Sequence, residues 1–106
     1  MRSPAPGFEW HSGEVETSVM LSVAPRRVRR NVARRLPPVR VDFRAALRRG
    51  VKNFRQMHRG DGYFGSPAVA RAETGRRIMA LRARLIAADL LRALDGWRPS
   101  RAPHLP

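Results

Sequence analysis

The chain has 106 residues, a formal net charge of +14 and no cysteine. This length limits it to one small domain with tails, and the lack of cysteine excludes disulfides and thiolate metal sites. The excess of basic groups favours nucleic acid or an anionic surface as a partner over small acidic molecules. No apolar run is long enough for a membrane span and the N-terminus has no secretory pattern. The expected location is therefore intracellular, in the cytoplasm or an organelle matrix, rather than secreted.

The N-terminal part of the sequence predicts an irregular arm followed by a strand. Prolines and glycines interrupt residues 1–13, so Phe8 and Trp10 either stay in solution or anchor this arm on another surface. Within residues 14–23, apolar and polar residues alternate, which is the pattern of a half-buried strand. Because a single strand is not stable alone, it would pair with residues 39–43 or with another chain.

The segment at residues 26–35, RRVRRNVARR, contains six arginines and no acid. Repulsion among the guanidinium groups opposes folding of the segment by itself. Val28, Val32 and Leu36 recur every four residues, so a short helix could form once an anion neutralises the charge. The segment resembles the arginine-rich motifs of RNA-binding peptides, and the resemblance implies phosphate contacts made by planar guanidinium forks. The alternative is a solvated linker.

Residues 42–59 predict the first of two principal helices. Asp42 is placed to cap its N-terminus, and Phe43, Leu47 and Phe54 belong to an apolar face with spacings of three and four that should meet a core. The opposite face is basic. That face is solvated, bound to phosphates or laid on a membrane surface, and the density of basic charge in and before the helix favours phosphates.

Residues 66–95 predict the second principal helix, beginning at Ser66 and ending at Gly96, with Gly75 as a place where it could divide. Its apolar side chains extend around more than half of the circumference, which is more than one small domain can bury. We therefore predict that a protein partner, or a second copy in a homo-oligomer, covers this helix. The residues predicted to contact that partner are Leu90, Leu91 and Leu94. Residues 97–106 predict a tail without structure of its own.

Residues with catalytic or metal-binding chemistry are few. His11, His58 and His104 are too far apart in the sequence to form a metal-binding spacing with one another. The carboxylates show no paired arrangement, and no glycine-rich phosphate-binding loop is present. The sequence therefore predicts no catalytic residue, no metal site and no cofactor.

Together these patterns predict a mainly α-helical protein with two principal helices, one N-terminal strand, and extended basic and terminal arms. The predicted parts are an arm at 1–13, a strand with the arginine-rich segment at 14–41, a helical domain at 42–96 and a tail at 97–106. The division rests on changes in charge and in hydrophobic period along the chain.

The predicted function is non-enzymatic binding of nucleic acid, RNA in preference to DNA, as an accessory subunit of an assembly such as a ribonucleoprotein particle. One alternative is a protein–protein adaptor or structural subunit whose arginines meet acidic protein surfaces. Another is a membrane-surface protein, which the narrow apolar face of the first principal helix disfavours. The residues predicted to contact phosphates are Arg26, Arg27, Arg29, Arg30, Arg34, Arg35, Arg44, Arg48, Lys52, Arg55 and Arg59.

Overall fold

A computed structural model of the chain describes residues 1–58 and 60–97. Arg59 and the predicted tail from residue 98 onward lie outside the described residues. The described part is mainly helical, as predicted, with helices α1 Glu14–Val23, α2 Arg30–Ala33, α3 Phe43–Arg48, α4 Phe54–Met57 and α5 Ala72–Asp95. Single turns of 3-10 helix span Pro6–Phe8, Pro25–Arg27 and Pro67–Val69. None of the helices in this part is both long and apolar enough to cross a membrane.

The predicted strand at residues 14–23 is wrong, because this segment forms α1. Its buried residues are Glu14, Ser18 and Leu21, which lie on one helical face at spacings of four and three. Two of these three residues are polar, so the buried face carries no hydrophobic period that sequence reading could detect. Within the described residues, 1–58 and 60–97, β-type backbone pairing is limited to two isolated bridges. These join His11 to Phe64 and Val39 to Gly65.

The predicted helix at 42–59 is divided into α3 and α4. Asp42 caps α3 as predicted, and its carboxylate accepts a hydrogen bond of 2.8 Å from the Ala45 backbone N–H. The helix ends because Gly50 adopts a left-handed φ of +79°, and the Val51 N–H then closes back on the Ala46 carbonyl oxygen. The Asn53 side chain caps α4 in the same way that Asp42 caps α3.

The second principal helix begins later than predicted. Ser66 precedes a single 3-10 turn, and α5 begins at Ala72, after the extended backbone of Arg71. Its last residue is Asp95, as predicted, but the following Gly96 has a φ of −86° and is not a left-handed cap. The predicted division at Gly75 is wrong, because α5 continues through this residue without interruption.

Gly75 continues α5 and provides the point of closest approach to α1. A Cβ atom built on Gly75 would lie 1.9 Å from the carbonyl oxygen of Ser18, a backbone atom of α1. The Ser18 hydroxyl also accepts a hydrogen bond of 3.0 Å from the Arg71 N–H, just before α5 begins. At this point the two helices therefore pack through backbone and a small polar group.

An aromatic cluster forms the second packing centre. Phe64 is 1% exposed, and its ring centroid lies 5.1 Å from those of both Phe43 and Phe54. Trp10 stacks on Phe43 at 5.4 Å, so the N-terminal arm is anchored rather than free. Leu47 and Phe54 were predicted to face a core. They are less buried than this prediction requires, because their side chains are 60% and 41% exposed.

The extended basic arm is not confirmed. The arginine-rich segment instead holds the 3-10 turn Pro25–Arg27 and the one-turn helix α2. Its predicted apolar stripe of Val28, Val32 and Leu36 does share one surface, which is the wall of a cleft beside α1.

Candidate active site

A histidine and a carboxylate meet where the N-terminal arm turns into α1. His11 pairs with Phe64 through two backbone hydrogen bonds of 2.7 and 3.2 Å. Ser12 follows with a left-handed φ of 51°, which is unusual for a residue that is not glycine. The Glu16 carboxylate accepts a hydrogen bond from the Ser12 N–H, and its Oε2 lies 3.7 Å from Nδ1 of His11. Backbone strain of this kind accumulates at functional sites.

The Glu9 carboxylate fixes the position of this turn. Oε2 accepts from the Glu14 N–H at 2.5 Å, and Oε1 accepts from the Ser66 N–H at 2.9 Å. The carboxylate lies against Gly13 and Gly65, where an added Cβ would approach it to 2.0 and 2.5 Å. The two glycines thus leave the space in which one carboxylate joins the start of α1 to the loop that carries Phe64.

A cleft of about 650 Å³ opens beside α1 and the arginine-rich segment. Its lining includes the polar residues Ser12, Glu16 and Asp61 and also the apolar stripe of the arginine-rich segment. This volume lies within the range of roughly 300–1,000 Å³ typical of small-molecule sites. Glu16 therefore belongs both to the cleft wall and to the pair with His11.

Tyr63 forms part of the cleft wall and has a perturbed phenol. Burial raises the pKa of Tyr63 above its ordinary value of 10.0, and the negative charge of Asp61 raises it further. The hydroxyl donates a hydrogen bond of 2.5 Å to the carbonyl oxygen of Pro37. The protonated phenol is thus the form that holds the loop at Pro37 against the cleft.

Titration of Tyr63 predicts a loss of stability in alkali. The pKa of Tyr63 is higher in the folded chain than in the unfolded chain. Its contribution to the free energy of unfolding is therefore fully present below pH 10.0 and is lost as the pH rises through the folded pKa. Tyr63 is the single tyrosine of the chain, so the ultraviolet absorbance of its phenolate reports it directly. We expect a titration midpoint above 10.0 in native protein that falls to the ordinary value in denaturant. Equal midpoints in the two states would contradict the buried setting.

The residues predicted to contact phosphates are exposed in the described structure, and those that line cavities are divided among three of them. Arg27 and Arg29 line the cleft, whereas Arg30 and Arg34 line a neighbouring cavity of about 240 Å³. Arg55 lies on α4 beside a third cavity. The remaining described members are Arg26, Arg35, Arg44, Arg48 and Lys52, all of them exposed. Their contact with phosphate stays a prediction, as does that of Arg59.

The residues predicted to contact a partner, Leu90, Leu91 and Leu94, lie in the last turns of α5 and are more than half exposed. They are distant in sequence from the cleft and do not line it. Their role in association stays a prediction.

A comparison with known protein families decides the class of chemistry. Residues 2–90 of the chain match the creatininases, whose family description is creatinine amidohydrolase. The match includes the turn at His11, the cleft and most of α5. The chain belongs to the creatininase family. No curated protein and no solved structure matches the chain significantly.

Membership of the creatininase family overturns the predicted function. The predictions that the chain is not an enzyme, and that it is an RNA-binding subunit of a ribonucleoprotein, were wrong, because the family is one of metal-dependent hydrolases. The error arose because solvated surfaces and phosphate-binding surfaces share the same excess of arginine. Charge alone does not distinguish them.

The residues of this creatininase-family chain that sequence reasoning missed are Glu9, His11, Ser12, Glu14 and Glu16. They were read as the end of an irregular arm and the start of a strand. A signal was present, because this short segment concentrates three carboxylates and a histidine in a strongly basic chain. Such local concentration of titratable groups is typical of an active site.

The donor side chains of this creatininase-family chain bear on metal binding. Among residues 1–58 and 60–97, histidines, aspartates and glutamates form no group of three or more that could hold one metal ion. Glu9 and Glu14 are instead committed to backbone N–H groups. The described residues therefore do not fit a metal centre of their own.

Proposed function

We propose that the chain binds a small amide in the cleft beside α1 and takes part in hydrolysis of its C–N bond, with His11 as the proton-transfer group. Family membership supports the reaction class, since the family is described as creatinine amidohydrolase. The observation that supports the site is the His11–Glu16 pair, 3.7 Å apart, in which Glu16 lines a cleft of small-molecule size.

His11 has the chemistry that amide hydrolysis requires. Imidazole accepts and releases protons near neutral pH, and a carboxylate on one ring nitrogen orients the ring and stabilises its protonated form. In the proposed step, a water molecule adds to the amide carbon and gives a proton to the imidazole. His11 then delivers this proton to the departing nitrogen as the C–N bond breaks, so the ring ends in its starting state.

The charged residues of the cleft suit the other parts of an amide. Arg27 and Arg29 line the cleft, and guanidinium groups stabilise the negative charge that develops on a carbonyl oxygen during hydrolysis. Asp61 also lines the cleft and can accept hydrogen bonds from N–H groups of the substrate. A small cyclic amide with N–H donors, such as creatinine, meets both requirements.

His11→Gln tests the proposal directly. We expect the rate of creatinine hydrolysis to fall about 100-fold or more, because general acid–base catalysis contributes about 10²–10⁴-fold. The matched control is His58→Gln, because His58 also lies against Phe64 but borders a different cavity. The assay measures creatine formation by the purified chain, alone and with added zinc or manganese. Absence of amide hydrolysis in every condition, or an equal loss in both variants, contradicts the proposal.

A further inference from the structure

We propose that Phe54 is a positioning residue whose ring fixes the orientation of the His11 imidazole by direct contact. The inference rests on the proposed function, because His11 is the proton-transfer group of that reaction. It adds to the site a residue of α4, a helix that is distant in sequence from His11 and whose residues do not line the cleft.

The rings of His11 and Phe54 are in direct contact. Their centroids lie 5.0 Å apart and their planes are inclined at 39°. Ring pairs attract one another at centroid distances of about 4.5–7 Å. Rotation of the imidazole about its Cβ–Cγ bond changes the overlap of the two rings, so the contact opposes that rotation and favours a narrow range of orientations.

Two other contacts of His11 leave this rotation to Phe54. The hydrogen bonds to Phe64 hold the backbone of His11, and Oε2 of Glu16 lies 3.7 Å from Nδ1. A carboxylate draws one ring nitrogen toward itself but leaves the plane of the ring free to turn about that contact. The His11 side chain is still 42% exposed, so a water molecule or a substrate can reach the imidazole while Phe54 holds it.

Phe54 is itself held in place. Its ring centroid lies 5.1 Å from that of the buried Phe64. The Asn53 side chain accepts a hydrogen bond of 3.0 Å from the Gln56 N–H, and the Gln56 side chain accepts one of 2.9 Å from the Lys52 N–H. Because a helix of one turn is marginal by itself, these bonds and the contact with Phe64 determine where the first side chain of α4 lies.

The exposure of Phe54 makes its positioning role measurable in folded protein. Phe54 is 41% exposed, whereas Phe64 is 1% exposed. Burial of apolar surface is what makes a core ring costly to remove, so replacing Phe54 should destabilise the chain less than replacing Phe64. An effect of Phe54 on His11 can therefore be separated from unfolding.

Phe54→Leu in the full chain provides the test, with Phe54→Tyr as the conservative variant and Phe43→Leu as the matched control. Phe43 lies against Phe64 in the same cluster, but the ring that contacts His11 is Phe54. We expect kcat for creatinine hydrolysis to fall about 10-fold to 100-fold in Phe54→Leu with KM unchanged, since a misplacement of about 1 Å can cost about 10²-fold. Phe54→Tyr, which keeps the ring, and Phe43→Leu should retain the kcat of the parent chain.

Proton NMR of the imidazole gives a readout that does not depend on hydrolysis. The ring current of Phe54 displaces the carbon-bound proton resonances of His11, which are assigned by their loss in His11→Gln. In Phe54→Leu these resonances should move toward their positions in denaturant, whereas in Phe43→Leu they should stay in place. A parent chain that hydrolyses no amide but shows this NMR pattern would contradict the proposed hydrolysis and still support the positioning of His11.

Three results would overturn the role of Phe54. They are equal displacement of the His11 resonances in the two leucine variants, no displacement in Phe54→Leu, and a Phe54→Leu chain that keeps the kcat of an active parent. Circular dichroism confirms that each variant is folded under the conditions of the measurement.

Discussion

Replacing Gly75 with alanine should lower the free energy of unfolding by about 2–4 kcal/mol. Overpacking usually costs about 1–3 kcal/mol, and we expect a large effect here because the added atom would meet backbone. The added Cβ would lie 1.9 Å from the carbonyl oxygen and 2.5 Å from the carbonyl carbon of Ser18. These are backbone atoms and cannot rotate aside, so α1 and α5 must move apart. Alanine is a better helix former than glycine by roughly 1 kcal/mol, which does not offset the lost packing.

Urea unfolding followed by circular dichroism measures the effect of Gly75→Ala. Gly96→Ala is the control, because an added Cβ there meets only the Ala93 carbonyl oxygen, at 3.9 Å. At Gly96, φ is −86°, which alanine adopts without strain, so we expect a change within about 0.5 kcal/mol. If the two variants are equally stable, the close contact between α1 and α5 is not as described.

Replacing Glu14 with alanine should lower the free energy of unfolding by about 2–4 kcal/mol, because hydrogen bonds to charged groups contribute about 1.5–3 kcal/mol each. The buried Glu14 carboxylate accepts hydrogen bonds of 2.6 Å from the backbone N–H groups of both Arg2 and Ser3. Its position in the first turn of α1 also places negative charge at the positive end of the helix dipole. Without this carboxylate, the arm should detach from α1 and expose Ala5, which is now buried.

Hydrogen exchange at the Arg2 and Ser3 amides reports detachment of the arm, and urea unfolding reports the energy. Glu73→Ala is the matched control, since Glu73 also lies in the first turn of a helix but pairs with Arg77 on the surface. Surface pairs contribute about 0–1 kcal/mol, so this variant should remain close to the parent chain. Equal protection of the arm amides in parent and Glu14→Ala chains would show that Glu14 does not hold the arm.

Local signals that require no long-range contact were predicted correctly from the sequence. The Asp42 cap depends on a carboxylate three residues before the Ala45 N–H. The end of α5 at Asp95 was predicted from Asp95 and Gly96 after a long helix-forming stretch, although Gly96 does not adopt the left-handed φ of a glycine cap. The exposed apolar sector of α5 was also predicted from the number of apolar side chains on this helix, which exceeds what a chain of this size can bury.

The spacing of apolar residues predicted the wrong secondary structure in α1 and at Gly50, for different reasons. In α1 the alternation of apolar residues indicated a strand, but tertiary contacts bury a helical face made of Glu14, Ser18 and Leu21. Ser18 meets α5, whereas Glu14 holds the N-terminal arm. At Gly50 the apolar spacing continued into the next segment, whereas the left-handed φ ended the helix. Neither the packing partner of a face nor the φ of a glycine can be read from hydrophobic spacing.

The candidate site depends on contacts that cannot be read from the positions of its residues in the sequence. The His11–Glu16 pair forms because Ser12 takes a left-handed φ and α1 begins at Glu14. Glu9 joins this turn to Ser66, which is 57 residues away along the chain. A carboxylate that accepts two backbone N–H groups looks the same in a sequence as a carboxylate in solvent.

The sequence by itself determined the helical class of the protein, its basic charge, the C-terminal end of α5 and the apolar excess on that helix, because these follow from composition and from spacing within one segment. The tertiary structure alone decided that residues 14–23 are helical, that Gly75 brings α5 onto α1, and that His11 meets Glu16 beside a cleft. The physical reason is that buried polar groups are stabilised by specific distant partners. Hydrophobic pattern carries no information about those partners.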